Sequence, residues 1–158
     1  MNSRRRVNSD VMRLTDVTTS MDDVKGLINR LNNDADRDDI LSATMALQAL
    51  GASAVPPLVD ALVNPSERLI LRCRIAEALG MIGSTTAVEP LISTLDDSHV
   101  RLRWSALRAL ARLGDVRSLP ALRRLAATDN EELLITPKLR FIMRDEAAKA
   151  IRQIKSRG

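Results

Sequence analysis

Aromatic residues are almost missing from this chain. Of its 158 residues one is Trp (Trp104), one is Phe (Phe141) and none is Tyr. The apolar fraction is still 45%, so the core must be aliphatic. Such a core suits close-packed helices and disfavours sheets, which draw on aromatic and β-branched residues. A single cysteine, Cys73, excludes an intrachain disulfide and leaves the redox compartment open. One histidine, His99, and one cysteine cannot assemble a zinc site of the usual kinds. No GxSxG elbow, P-loop or glycine-rich phosphate loop is present. The acidic run Asp34, Asp36, Asp38, Asp39 lacks the glycine and closing glutamate of a calcium loop, and reads as a helix N-cap and turn. No apolar run approaches about 18 residues, which predicts no membrane span. After MNSRRRVNSD no apolar segment follows, and Asp10 and Asp16 interrupt the stretch, against a signal peptide. The expectation is a cytoplasmic, non-enzymatic protein with no catalytic residue, no metal and no cofactor.

Charge is divided unevenly. Residues 1–96 carry 10 basic and 13 acidic side chains, net −3, and residues 97–158 carry 14 and 7, net +7. A basic C-terminal half suits an acidic protein surface or nucleic acid; solvated helix faces would look the same.

What the chain does have is repetition. LRCRIAEALGMIG (71–83), LRWSALRALARLG (102–114) and MRDEAAKAIRQIK (143–155) align, each with an apolar residue followed by Arg and each with Ala at one shared position. ILSATMALQALG (40–51) fits the frame without the Arg. A second motif alternates with it: PLVDAL (57–62), PLISTL (90–95), PALRRL (120–125) and, more faintly, VKGLINRL (24–31). Gly51, Gly83 and Gly114 fall between the motifs, where helix C-caps belong. The unit is helix, turn, helix, about 31 residues long, with an apolar face that only neighbouring units can cover.

These motifs resemble the HEAT-like repeats of the phycobilisome-lyase type, whose helices read roughly VRxxAAxALGxIG and then xxAVxPLxxxL. The likeness covers about residues 21–155 and is strongest over 71–125. It implies an all-α fold, an α-solenoid of about four to five helix pairs over residues 21–158. Residues 1–20 would precede it as a tail or capping helix. The 41-residue offset before the last copy marks an insertion at about 128–139. In the family an Asp ahead of one helix pairs with the Arg of a neighbouring repeat. His99 stands at that position, with Asp96 and Asp97 just upstream, which implies an imperfect ladder. The iron-binding HEAT hydroxylases need several His-Glu pairs; here Val100 follows His99.

Helical projection of 101–114 gives one apolar stripe of Leu102, Ala106, Ala109, Leu110 and Leu113, and a second of Trp104, Leu107 and Ala111. The second stripe is expected to pack on Cys73, Ala76 and Gly80 of the preceding repeat. Arg72, Arg103 and Arg144 recur at one repeat position and read as structural; Arg101, Arg108 and Arg112 form a solvated ridge. The helices of the PALRRL motif are expected to line the concave face. Arg117, Arg123 and Arg124 would make it basic at the C-terminal end, with Ala61 and Thr94 as the small, neutral counterparts of Arg124. In the insertion, Leu133, Leu134 and Ile135 either fold back or dock a partner. The stripe Met143, Ala147, Ala150, Ile151, Ile154 of the last helix needs cover, from the insertion or from a second chain in a homodimer or heterodimer. The leading expectation is a scaffold binding another protein, acidic or extended, on this concave face. A nucleic-acid binder using the same arginines is the first alternative, weakened by the lack of aromatics for stacking. A lyase or chaperone-type subunit for bilin attachment, implied by the resemblance, is the second.

Overall fold

The computed structural model describes residues 21–33, 36–137 and 139–157. The expected N-terminal extension, residues 1–20, lies outside them. The order is α1 (Met21–Leu31), α2 (Arg37–Leu50), α3 (Val55–Val63), α4 (Leu69–Ile82), α5 (Val88–Thr94), α6 (Val100–Leu113), α7 (Leu119–Thr128), β1 (Glu132–Thr136), β2 (Leu139–Ile142) and α8 (Met143–Lys155). Consecutive helices pair as α1–α2, α3–α4, α5–α6 and α7–α8, and the pairs stack into an α-solenoid.

Local chemistry sets the boundaries. The Asp36 carboxylate accepts from the amides of Asp38 and Asp39 at 2.9 and 3.2 Å, the N-cap expected of the acidic run. Gly83 and Gly114 end α4 and α6 in the left-handed conformation, φ 78° and 72°. Their amides donate to Leu79 and Leu110 carbonyls. Short 3-10 turns at 51–54, 85–87 and 116–118 then lead into the next short helix. Arg37–Val63 is long and apolar enough in composition to cross a membrane, against the sequence expectation. It is not one helix: Gly51, at φ 61° and ψ −136°, separates α2 from α3. Their Ala43, Leu47, Leu58 and Leu62 are buried in the repeat core.

The core is aliphatic, as composition requires. Leu31, Leu47, Leu58, Leu62, Leu71, Ile75, Leu79, Leu91, Leu95, Leu102, Leu110 and Leu122 are fully buried. The long helices α2, α4, α6 and α8 pack on one another more closely than the short ones do. At α4–α6 the contact is almost backbone to backbone, for a Cβ on Gly80 would lie 2.8 Å from Ala109 Cα.

The insertion departs from the all-helical pattern. Its strands pair antiparallel as a hairpin, with Leu133 opposite Phe141 and a bulge between Leu134 and Thr136. The hairpin folds back on α6, burying Leu133. The stripe of α8 is covered by the chain itself: Met143, Ala147, Ala150 and Ile154 are buried and Ile151 is partly so. Helices α6 and α7 supply that cover.

Candidate functional site: an aromatic and arginine groove

The hairpin, α6 and α8 enclose a groove of about 770 Å³, within the range of small-molecule sites. Trp104, Leu107, Ala111, Ile135, Leu139 and Phe141 give it an apolar floor. The rings of Trp104 and Phe141 lie 5.4 Å apart, tilted by 30°. Arg108 stacks its guanidinium on the indole, 4.6 Å from the centroid. Trp104 therefore faces the hairpin rather than interlocking with the preceding repeat as expected. Cys73 meets Ser105 and Gly80 meets Ala109 on that other interface. The indole Nε1 is buried with no hydrogen-bond partner among the described residues, a deficit worth about 1–3 kcal/mol.

The groove is also basic. Arg108 and Arg112, one helical turn apart and both exposed, have no carboxylate partner among the described residues. Across from them Arg157 donates Nη1 to the Ala111 and Arg112 carbonyls at 3.2 and 3.0 Å, capping the C-terminus of α6. Gln153 donates to the Ala111 carbonyl at 3.2 Å. Lys149 is neutralised by Glu146.

A buried arginine holds the groove's wall in place. Arg103 Nε and Nη2 donate to Asp129 at 2.8 Å and Glu131 at 2.6 Å, and Nη1 donates to the Asp97 and Ser98 carbonyls. Burial alone would lower its pKa, but the bonds to Asp129 and Glu131 outweigh burial and raise it. Asp129 and Glu131 also accept, through their carbonyls, from the Arg144 and Met143 amides, fixing the hairpin's root to α8. One repeat earlier, Arg72 donates to the Leu62 carbonyl at 2.7 Å and to Asp97 at 3.0 Å. The ladder expected to be imperfect is intact, carried by Asp97 and then Asp129. His99 serves it by donating its amide to Asp97, with its ring Nδ1 3.0 Å from the same carboxylate.

The residues expected to meet a partner are not assembled into one surface. Arg117 is tied to Asp115 at 2.7 Å and to the Thr85 carbonyl, which lowers the Asp115 pKa. Arg124 is tied to both oxygens of Asp96, at 2.7 and 2.8 Å. Their charge is thus compensated; Arg123 is exposed beside them. Thr94 is 6% exposed and bonded to the Pro90 carbonyl, so it cannot meet a partner there, and Ala61 is partly buried against the core. In the insertion Leu133 is buried, while Leu134 and Ile135 are exposed. The groove is not visible in the repeat pattern because its wall comes from the hairpin. The one signal was that both aromatics of the chain, Trp104 and Phe141, flank the insertion.

Comparison with known proteins agrees with the repeat pattern. The model of HEAT repeats matches residues 69–136. A phycocyanobilin lyase subunit alpha from Picosynechococcus sp. is 39% identical over 79 residues, 47% of this chain and 30% of the relative. Residues 69–136 thus carry HEAT repeats, similar to those of a phycocyanobilin lyase subunit. The structure of the complex of CpcE and CpcF of phycocyanin lyase from Nostoc sp. PCC7120 superposes with a TM-score of 0.64 at 24% identity. The match covers 84% of this repeat protein and 53% of the solved chain. The chain thus spans less than a third of the curated relative and about half of the solved one. The relative corrects the expectation of a non-enzymatic scaffold: the similar protein is a lyase subunit.

Proposed function

We propose that this repeat protein is a subunit of a bilin lyase, acting with a second protein subunit in attaching a linear tetrapyrrole to an acceptor protein. The observation that carries the reading is the 39% identity to a phycocyanobilin lyase subunit alpha. The neighbour solved as a two-protein complex supports a protein partner. The chain's own residues favour a positioning role. Cys73 is 3% exposed, and burial pushes its thiol above the ordinary value, so it is no nucleophile. Among the described residues no group of three or more His, Cys, Asp or Glu is placed to hold a metal. Holding two reactants in register is itself a large catalytic effect, and a rigid repeat stack is suited to it.

The test is reconstitution. Phycocyanobilin, an unmodified phycocyanin subunit and a partner lyase subunit are incubated with and without the chain, and the acceptor is run on a denaturing gel. Bilin fluorescence on the acceptor band only when the chain is present supports the reading. Equal fluorescence without it, or none while the partner's usual subunit gives it, overturns the reading.

A further inference from the structure

We propose that the groove between α6, the hairpin and α8 is a binding site for a planar, conjugated molecule bearing carboxylates. If the lyase reading holds, that molecule is the bilin. Three independent features meet there. The first is aromatic surface: the chain has only two aromatic side chains, and both stand in this groove. A flat conjugated ligand gains most from such a floor, continued by Leu107, Leu139 and Ile135.

The second is uncompensated charge. Arg72, Arg103, Arg117 and Arg124 each hold a carboxylate of this chain. Arg108 and Arg112 hold none among the described residues, although they lie in the same protein and reach the groove. Guanidinium forks match carboxylates in two parallel bonds. Helix geometry puts the two arginines on one face, about 6 Å apart along the axis, so two carboxylates on one ligand can be met together. The third is the orphaned indole: Trp104 Nε1 is shielded from water and has no acceptor among the described residues. An oxygen of the ligand brought against the indole edge would satisfy it. The wall is firm, because Arg103 pins the hairpin root to the stack. Arg157 is committed through one nitrogen to the end of α6, which leaves its other donors for the ligand.

The experiment uses the whole chain and phycocyanobilin as probe. Trp104 is the sole tryptophan, so intrinsic fluorescence reports from inside the groove. Titration is expected to quench it saturably and to shift the bilin's absorption band. Arg108→Glu/Arg112→Glu is expected to weaken binding about a hundredfold, and each single Gln variant about tenfold. Both positions are exposed, so the helical circular-dichroism signal should be retained. Arg117→Glu/Arg124→Glu, on the other row, is expected to bind as the unchanged protein does. Bilin binding that the Arg108/Arg112 variant leaves intact would overturn the groove assignment while the lyase reading stands. No binding of bilin, with attachment still supported in the reconstitution, would overturn it in the same way. Saturable, arginine-dependent binding of another planar dicarboxylate such as protoporphyrin, with no bilin attachment, would uphold the groove and sink the lyase reading.

Discussion

Replacing Arg103 with Ala should destabilise the chain more than any other surface-reaching arginine substitution. The side chains of Arg103 and Asp129 are each 9% exposed, and the pair is closed at 2.8 Å. Removing one partner of a buried pair leaves the other charge uncompensated, at a cost of about 3–5 kcal/mol. Glu131 is 61% exposed, so its bond adds at most about 1 kcal/mol. The Asp97 and Ser98 carbonyls lose a donor as well but can turn to water. The expected loss of about 3–5 kcal/mol is a large share of the 5–15 kcal/mol typical of a folded domain. Arg103→Lys keeps the charge but not the fork, and should cost about half as much. Urea unfolding followed by circular dichroism measures the loss. Trp104 fluorescence in the same titration shows whether the hairpin leaves α6 before the helices melt. A loss for Arg103→Ala below about 1 kcal/mol would refute the reasoning, since the pair would then be no stronger than an exposed one.

Asp97 binds its proton less readily in the folded chain than in the unfolded one. Burial works against this, but the amide and ring nitrogen of His99 and the Arg72 guanidinium prevail. Its contribution is therefore full above the unfolded carboxylate value, near ~3.9, and disappears as pH falls through the lower folded value. Stability against urea should drop on acidification below about pH 4, and Asp97→Asn should flatten that drop; an unchanged profile would contradict the ladder. Gly80→Val should force α4 from α6, because even a Cβ would lie 2.8 Å from Ala109 Cα; the expected cost is about 1–3 kcal/mol or more by thermal melting. Leu133→Ala, at a buried position, should cost about 2 kcal/mol or more, and Leu134→Ala, 65% exposed, about 0.5 or less. Equal effects of the two would show that the hairpin does not pack as described.

The repeat was legible because each unit must satisfy the same neighbours. Angular position alone puts Leu102, Ala106, Ala109, Leu110 and Leu113 on the buried side of their helix; the first four are buried and Leu113 is partly so. Gly83 and Gly114 were legible as caps because only a left-handed residue ends such helices cheaply. Arg103 could be recognised as structural from its recurrence, but its carboxylates could not be named. Asp129 and Glu131 stand in the insertion, where the repeat fixes no register. The hairpin itself was missed. Its turn carries Pro137 rather than an Asn-Gly pair, and Leu133–Leu134–Ile135 reads as an apolar run, not as alternation. Helical projection also shows which way an arginine points along its own helix, but not which acid of another segment waits there. Asp96 closes on Arg124 from 28 positions away, so a surface that looked basic is largely neutral.

That the chain is a bilin-lyase subunit whose groove holds the chromophore is tested by the intact mass of the acceptor. Unmodified phycocyanin subunit, phycocyanobilin and the partner subunit are incubated with the chain or with its Arg108→Glu/Arg112→Glu variant, then denatured and weighed. A gain of one bilin mass is expected with the unchanged chain, and little or none with the variant. No gain with either, under conditions where a known lyase pair gives it, would mean that the chain is not such a subunit.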